Sequence, residues 1–117
     1  MKAGKEGDIV KACLQLLTLR GAFAWRQNAG AMKGSHNGKP WFVRFVSPEA
    51  DGISDIVGVL PDGCFLAVEV KKPGARTAKD RAARQAAFRQ RVSSHNGLAL
   101  VVSDVRQLDE ALTMEGY

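Results

Sequence analysis

Two apolar runs, residues 53–60 and 64–72, flank the tripeptide Pro61-Asp62-Gly63, and this pairing constrains the fold more than any other feature of the chain. Proline presets the first position of a turn and glycine takes the left-handed one, so the segment reads as a β-hairpin with a three-residue loop. Leu60 then faces Cys64, and counting back along both strands sets Asp55 opposite Glu69. Because side chains alternate across a strand, one face carries Asp55, Val57 and Val59 against Phe65, Ala67 and Glu69. The other carries Ile56, Gly58 and Leu60 against Cys64, Leu66 and Val68. Both faces are mostly apolar, the pattern of strands buried on two sides.

Two carboxylates therefore stand side by side in an apolar hairpin, with Cβ atoms about 4.5–5.5 Å apart. Like charges directly opposite are destabilising, and burial makes them worse. Something positive belongs between them. Lys71 lies two residues beyond Glu69 and emerges on the same face; a hard divalent cation with oxygen ligands is the other neutraliser. Two carboxylates, a metal and an ammonium suit hydrolysis of a phosphodiester. A bare Glu-x-Lys tripeptide carries no weight, since about 0.4 are expected by chance in a chain of this length. Its position at the end of an apolar strand, facing an Asp and leading into a basic helix, is what raises it above a surface strand. A register slip of one residue would move Asp55 to the opposite face.

The rest of the chain supplies layers for that hairpin. Ile9, Cys13, Leu16 and Leu17 recur at helical spacing over residues 5–19, with Gly21 as a stop. Residues 23–26 read as a short strand, residues 28–40 as a glycine-rich loop, residues 41–46 as a β-rich run and residues 47–52 as a break. A basic helix is expected over residues 77–93, an apolar strand over 98–103, and a last helix that starts at Asp104 with Gln107 three residues on, a capping-box pattern. Gln85, Phe88 and Val92 share one face of the basic helix, where a polar group needs a partner. The order points to α/β layers around a mixed sheet, and 117 residues suit one domain, 1–117. An apolar share of 45% excludes disorder, and no apolar stretch approaches the roughly 20 residues that cross a bilayer. Residues 1–8 are charged where an export signal would be apolar. Cys13 and Cys64 sit in apolar patterns, so two buried thiols and an intracellular, reducing setting are expected.

Seventeen Lys and Arg against twelve Asp and Glu give a net charge of +5. Eight of the cations (Lys71, Lys72, Arg76, Lys79, Arg81, Arg84, Arg89 and Arg91) fall within residues 71–91 beside a single acid, Asp80. An acidic polymer is the expected partner. His95 suits a helix C-terminus better than a catalytic role, while His36, between Lys33 and Lys39, is better placed for phosphate contact. Residues 34–40 are too short for a P-loop and carry Pro in place of Ser/Thr. Trp41 and Phe45 read as core before they read as base-stacking groups.

With these residues in view, the chain resembles the PD-(D/E)XK nuclease superfamily, and within it the stand-alone virus-type replication-repair nuclease (VRR-NUC) domain. The resemblance rests on Gly52-Ile53-Ser54-Asp55-Ile56-Val57-Gly58, Val68-Glu69-Val70-Lys71, Arg84-Gln85-Ala86-Ala87-Phe88 and Gly97-Leu98-Ala99-Leu100-Val101-Val102, in order along nearly the whole chain. The opening helix with Glu6, and Trp25-Arg26-Gln27-Asn28-Ala29-Gly30, also fit; Ser54 stands where the family pattern usually has Pro. The resemblance implies a restriction-endonuclease-like αβββαβ core. It implies Mg²⁺ or Mn²⁺ on Asp55, Glu69 and the Val70 backbone carbonyl, with Glu6 as a further candidate ligand. Lys71 would orient the attacking water and stabilise the transition state, with Gln85 supporting the site. Lys33, Lys39, Lys72, Arg76, Lys79, Arg81 and Arg84 are the candidate DNA-binding cations. The family further implies a homodimer acting on branched DNA in the manner of a Holliday-junction resolvase, in a bacterial or phage-infected cell. A flap- or fork-specific nuclease, or a non-catalytic nucleic-acid-binding module of the same fold, are the alternatives.

Overall fold

The computed structural model of the chain describes residues 5–27, 30–44 and 46–117. Strands β4 (Ile56–Val59) and β5 (Phe65–Val70) pair antiparallel, with Ile56 against Val68 and Val57 against Ala67, the register expected from the turn. Strand β1 (Phe23–Arg26) pairs antiparallel with β4 on one side, and β6 (Leu98–Val102) pairs parallel with β5 on the other. The result is a mixed four-stranded sheet in the order β1-β4-β5-β6. A parallel pair needs a crossover, and α2 (Lys79–Ser94) supplies it between β5 and β6.

Helices cover both faces. Ile56, Leu60, Leu66, Val68 and Val70 form one core with Val10, Cys13 and Leu17 of α1 (Glu6–Leu19) and with Leu108 and Leu112 of α3 (Val105–Met114). Val57 and Ala67, on the other face, pack against Val92 of α2, with Ile53, Phe88 and Ala99 around them. Each fully buried Leu, Ile or Val contributes about 1.5–3 kcal/mol. Arg20 ties α1 to α3 through an ion pair with Asp109. The Asp104 carboxylate accepts from the Gln107 backbone N–H at 2.8 Å, capping α3 as expected, and the Gln107 side chain returns to the Ser103 N–H at 2.7 Å. Among the described residues no helix is long and apolar enough to cross a membrane.

Two expectations need correction. Residues 28–40 are not simply a loop: β2 (Ala31–His36) pairs antiparallel with β3 (Lys39–Arg44) in a separate two-stranded ribbon. The run expected over residues 41–46 is therefore the ribbon's second strand and does not enter the main sheet; Phe45, Asn28 and Ala29 lie outside the described residues. The turn is Asn37-Gly38, both at positive φ (53° and 76°), the pair that a two-residue hairpin loop of the right twist demands. Polar and glycine content hid that signal. Trp41 is 41% exposed, its indole lying over Gly34, so it is not core. The second correction concerns the thiols: Cys13 is buried, and burial pushes it up to about 11, whereas Cys64 is only half-buried.

Gly58 in β4 admits no side chain, because an added Cβ would fall 2.3 Å from the Phe23 carbonyl oxygen and 2.5 Å from the Ala24 Cα. Gly58→Ala should separate β1 from β4. Overpacking of this kind costs about 3 kcal/mol, which would appear as a fall in melting temperature of roughly 10 °C. An unchanged denaturation midpoint would contradict the β1–β4 pairing.

Candidate active site

The alternation of β5 decides where the acids go. Leu66, Val68 and Val70 face α1 and α3, so Ala67 and Glu69 face α2. Asp55 lies just before β4, fixed at both ends of the residue. Its backbone carbonyl accepts from the Gln27 N–H at 2.7 Å, and its Oδ2 accepts from the Val70 N–H at 2.7 Å. Glu69 is 3% exposed. Its Oε2 accepts from Gln85 Nε2 at 3.4 Å and lies 3.7 Å from Lys71 Nζ, while its Oε1 is buried with no hydrogen-bond partner.

Gln85, buried on α2, bridges the acid and the lysine. Its Oε1 accepts from Lys71 Nζ at 2.8 Å and its Nε2 donates to Glu69. The amide has one workable orientation, because the Lys71 ammonium only donates and so must meet the amide oxygen. Thr77 Oγ1 accepts a second proton from Lys71 at 2.9 Å. Asp55, Glu69, Lys71 and Gln85 thus lie together in the structure.

Glu69 is held protonated far above the usual carboxylate range, up to about 8. Burial is the largest cause, followed by the nearby charge of Asp55; Lys71 and Arg89 pull in the opposite direction. Two neighbouring carboxyls, one with an orphaned buried oxygen, are a donor set for a hard divalent cation. Mg²⁺ or Mn²⁺ fits this chemistry. Among the described residues no group of three or more His, Cys, Asp or Glu side chains could hold a metal, so a ligand set would rest on this pair and on backbone oxygen such as the Val70 carbonyl. Glu6 lines the same cleft, but it forms no three-carboxylate group with the pair.

The cleft over Asp55 and Gln85 has a volume of about 690 Å³ and is walled by Glu6, Arg26, Arg44, Arg81 and Arg84. The segment before β4 forms one wall by lying directly on α2. Gly52 has φ +81°, and a Cβ there would meet the Arg84 carbonyl oxygen at 2.2 Å. Asp51 Oδ2 sits 3.4 Å from Arg84 Nε, and Arg91 donates to the Glu49 carbonyl at 3.2 Å. Of the candidate DNA-binding cations, Arg81 and Arg84 line the cleft, the latter paired with Asp51. Lys72, Arg76 and Lys79 are exposed around the start of α2, and Lys33 and Lys39 are exposed on the ribbon without lining the cleft. His95 Nδ1 lies 2.7 Å from the Arg91 carbonyl at the end of α2, a capping role. Sequence reasoning missed Thr77, Arg26 and Arg44, and treated Arg89 only as part of a basic run. One signal was available for Arg89, which follows Gln85 by one helical turn. Ser54, fully buried, leaves its hydroxyl without a partner where the resembled family pattern has Pro.

The sequence matches no protein-family model and no curated protein. Among solved structures, one described as a VRR_NUC domain aligns with 98% of this chain and 100% of its own length, at a TM-score of 0.60 and 23% sequence identity. The fold is that of a VRR_NUC domain. The mixed sheet flanked by helices, with α1, β1, β4, β5, α2 and β6 in chain order, is accordingly the restriction-endonuclease-like core that the sequence motifs implied.

In the presence of a chelator the acid pair should govern stability against pH. An unfolded glutamate ionises near about 4.3, whereas folded Glu69 keeps its proton up to about 8. The raised folded value contributes stability that is present at low pH and lost as pH rises through that window. Wild-type protein should therefore have a lower urea midpoint at pH 8 than at pH 5, and Glu69→Gln should flatten this slope. An identical slope in the variant would refute the buried acid.

Proposed function

We propose that this protein is a divalent-metal-dependent nuclease that hydrolyses phosphodiester bonds in DNA. One observation carries the reading: a buried Glu69 with an unpartnered oxygen stands beside Asp55, and Asp55 lines a cleft walled by arginines. Burying two acids together is destabilising on its own, and a binding module has no use for it. When bound by Asp55, Glu69 and the Val70 carbonyl, Mg²⁺ or Mn²⁺ would neutralise the pair, polarise the phosphate and make water more acidic.

The chain's own residues supply the remainder. Two of the three Lys71 protons go to Gln85 and Thr77, so its ammonium is held in place before substrate arrives. That leaves one N–H for the attacking water or for a phosphate oxygen as negative charge develops. Gln85 fixes the lysine and the glutamate with one amide and acts through them. Arg26, Arg44 and Arg81 line the cleft and would meet phosphates on either side of the cut, which favours recognition of backbone shape over base sequence. The sequence resemblance further supports a homodimer acting on branched DNA, in which a two-fold axis would present two sites to opposing strands.

Cleavage of a labelled panel (four-way junction, 5′ flap, 3′ flap, splayed arm, plain duplex) with Mn²⁺, Mg²⁺ or EDTA tests this. Cutting should require the cation and fall at least about 100-fold in Lys71→Ala. Paired symmetric nicks on the junction would support the dimeric resolvase-like form, and cutting confined to flaps would discard it. Mn²⁺ should raise the melting temperature by mass action, and Asp55→Asn should abolish the rise. Binding of branched DNA with no cutting under any cation would sink the enzyme and leave a binding module.

A further inference from the structure

The β2–β3 ribbon carries an unusual pair of faces. In its register Lys33 lies opposite Phe42 and Ala31 opposite Arg44, so Lys33, Phe42 and Arg44 share one face, while Met32, Trp41 and Val43 share the other. The Arg44 guanidinium sits 5.7 Å from the centroid of the Phe42 ring, yet Phe42 remains 59% exposed. Phe42 and Arg44 line a cavity of about 600 Å³ with Val46, Ser47 and Pro48. That cavity shares Gly30, Arg44, Asp51, Gly52 and Ile53 with the cleft over Asp55, so the two form one continuous trough. An aromatic ring between two cations, in the wall of a trough that ends at Asp55, matches a nucleic-acid strand at each point. The cations suit phosphates, and the ring suits the flat face of any base. In a paired duplex the bases are stacked on each other and cannot reach such a ring.

We propose that Phe42 is a stacking platform for an unpaired base of the DNA strand lying in the cleft, with Lys33 and Arg44 on its flanking phosphates. The active site then works on DNA that has an unpaired nucleotide beside the scissile phosphate. This rests on the nuclease reading for the presence of the strand, and its test is one of binding alone.

Splayed-arm DNA carrying 2-aminopurine in its unpaired portion, and a plain duplex of equal length, are titrated with protein in EDTA so that nothing is cut. Wild-type protein should quench the unpaired 2-aminopurine. Phe42→Ala and Phe42→Leu should lose the quench and bind the splayed arm roughly tenfold more weakly, with duplex affinity unchanged. Phe42→Tyr should restore both quench and affinity, and its melting temperature reports on folding. Wild-type behaviour in Phe42→Leu, or an equal loss on duplex and splayed arm, would overturn the proposal. Quenching that depends on Phe42 in a protein that cuts nothing with Mn²⁺ supports the stacking site while sinking the nuclease. Metal-dependent cutting without the quench does the reverse.

Discussion

Burial of β5 on both faces is the constraint from which the rest of this structure follows. From Leu66 to Val70 the strand has no solvent side, so each of these residues must match a layer above or below it. Leu66, Val68 and Val70 meet α1 and α3. Glu69, in the same strand, is turned into the layer against α2 at 3% exposure. A charged group there is costly unless paired, and the neighbouring chain is arranged around that cost. Lys71 leaves the strand on the same side, Gln85 reaches down from α2, and Asp55 comes from the residue that leads into the partner strand.

α2 therefore has two roles that are physically inseparable. Its Val92 and Phe88 cover the apolar part of the sheet, and its Gln85 completes the polar part. Residues 48–52 lie directly on its backbone, held by Gly52, by the Asp51–Arg84 pair and by Arg91 on the Glu49 carbonyl. This close approach builds one wall of the cleft. Packing, electrostatics and the shape of the site are thus set by the same helix, and a change that loosens it would disturb all three.

The hairpin and its acid pair were legible because a tight turn fixes register and register fixes faces. Pro61-Asp62-Gly63 was enough to place Asp55 against Glu69. Gln85 was legible because a lone polar residue on an apolar helical face needs a partner. The ribbon at β2–β3 was not read, although Asn37-Gly38 marked it, because its strands lack the apolar alternation of a half-buried sheet. Thr77 was not read because it precedes α2 in a segment without periodicity, where nothing in sequence spacing says what a side chain will meet.

The sequence by itself determined the order of the core elements outside the β2–β3 ribbon, the register of the central hairpin, the two faces of β5 and the clustering of positive charge before and along α2. These depend on turn chemistry and on periods of two and 3.6 residues, which are local properties. The tertiary structure alone decided which cations reach the acids. Arg26 and Arg44 enter the cleft, Lys33 and Lys39 do not line it, Arg84 is paired with Asp51, and Glu6 stays outside the acid pair. Those outcomes depend on how layers dock and where a ribbon points, which residues distant in sequence settle together through excluded volume and burial.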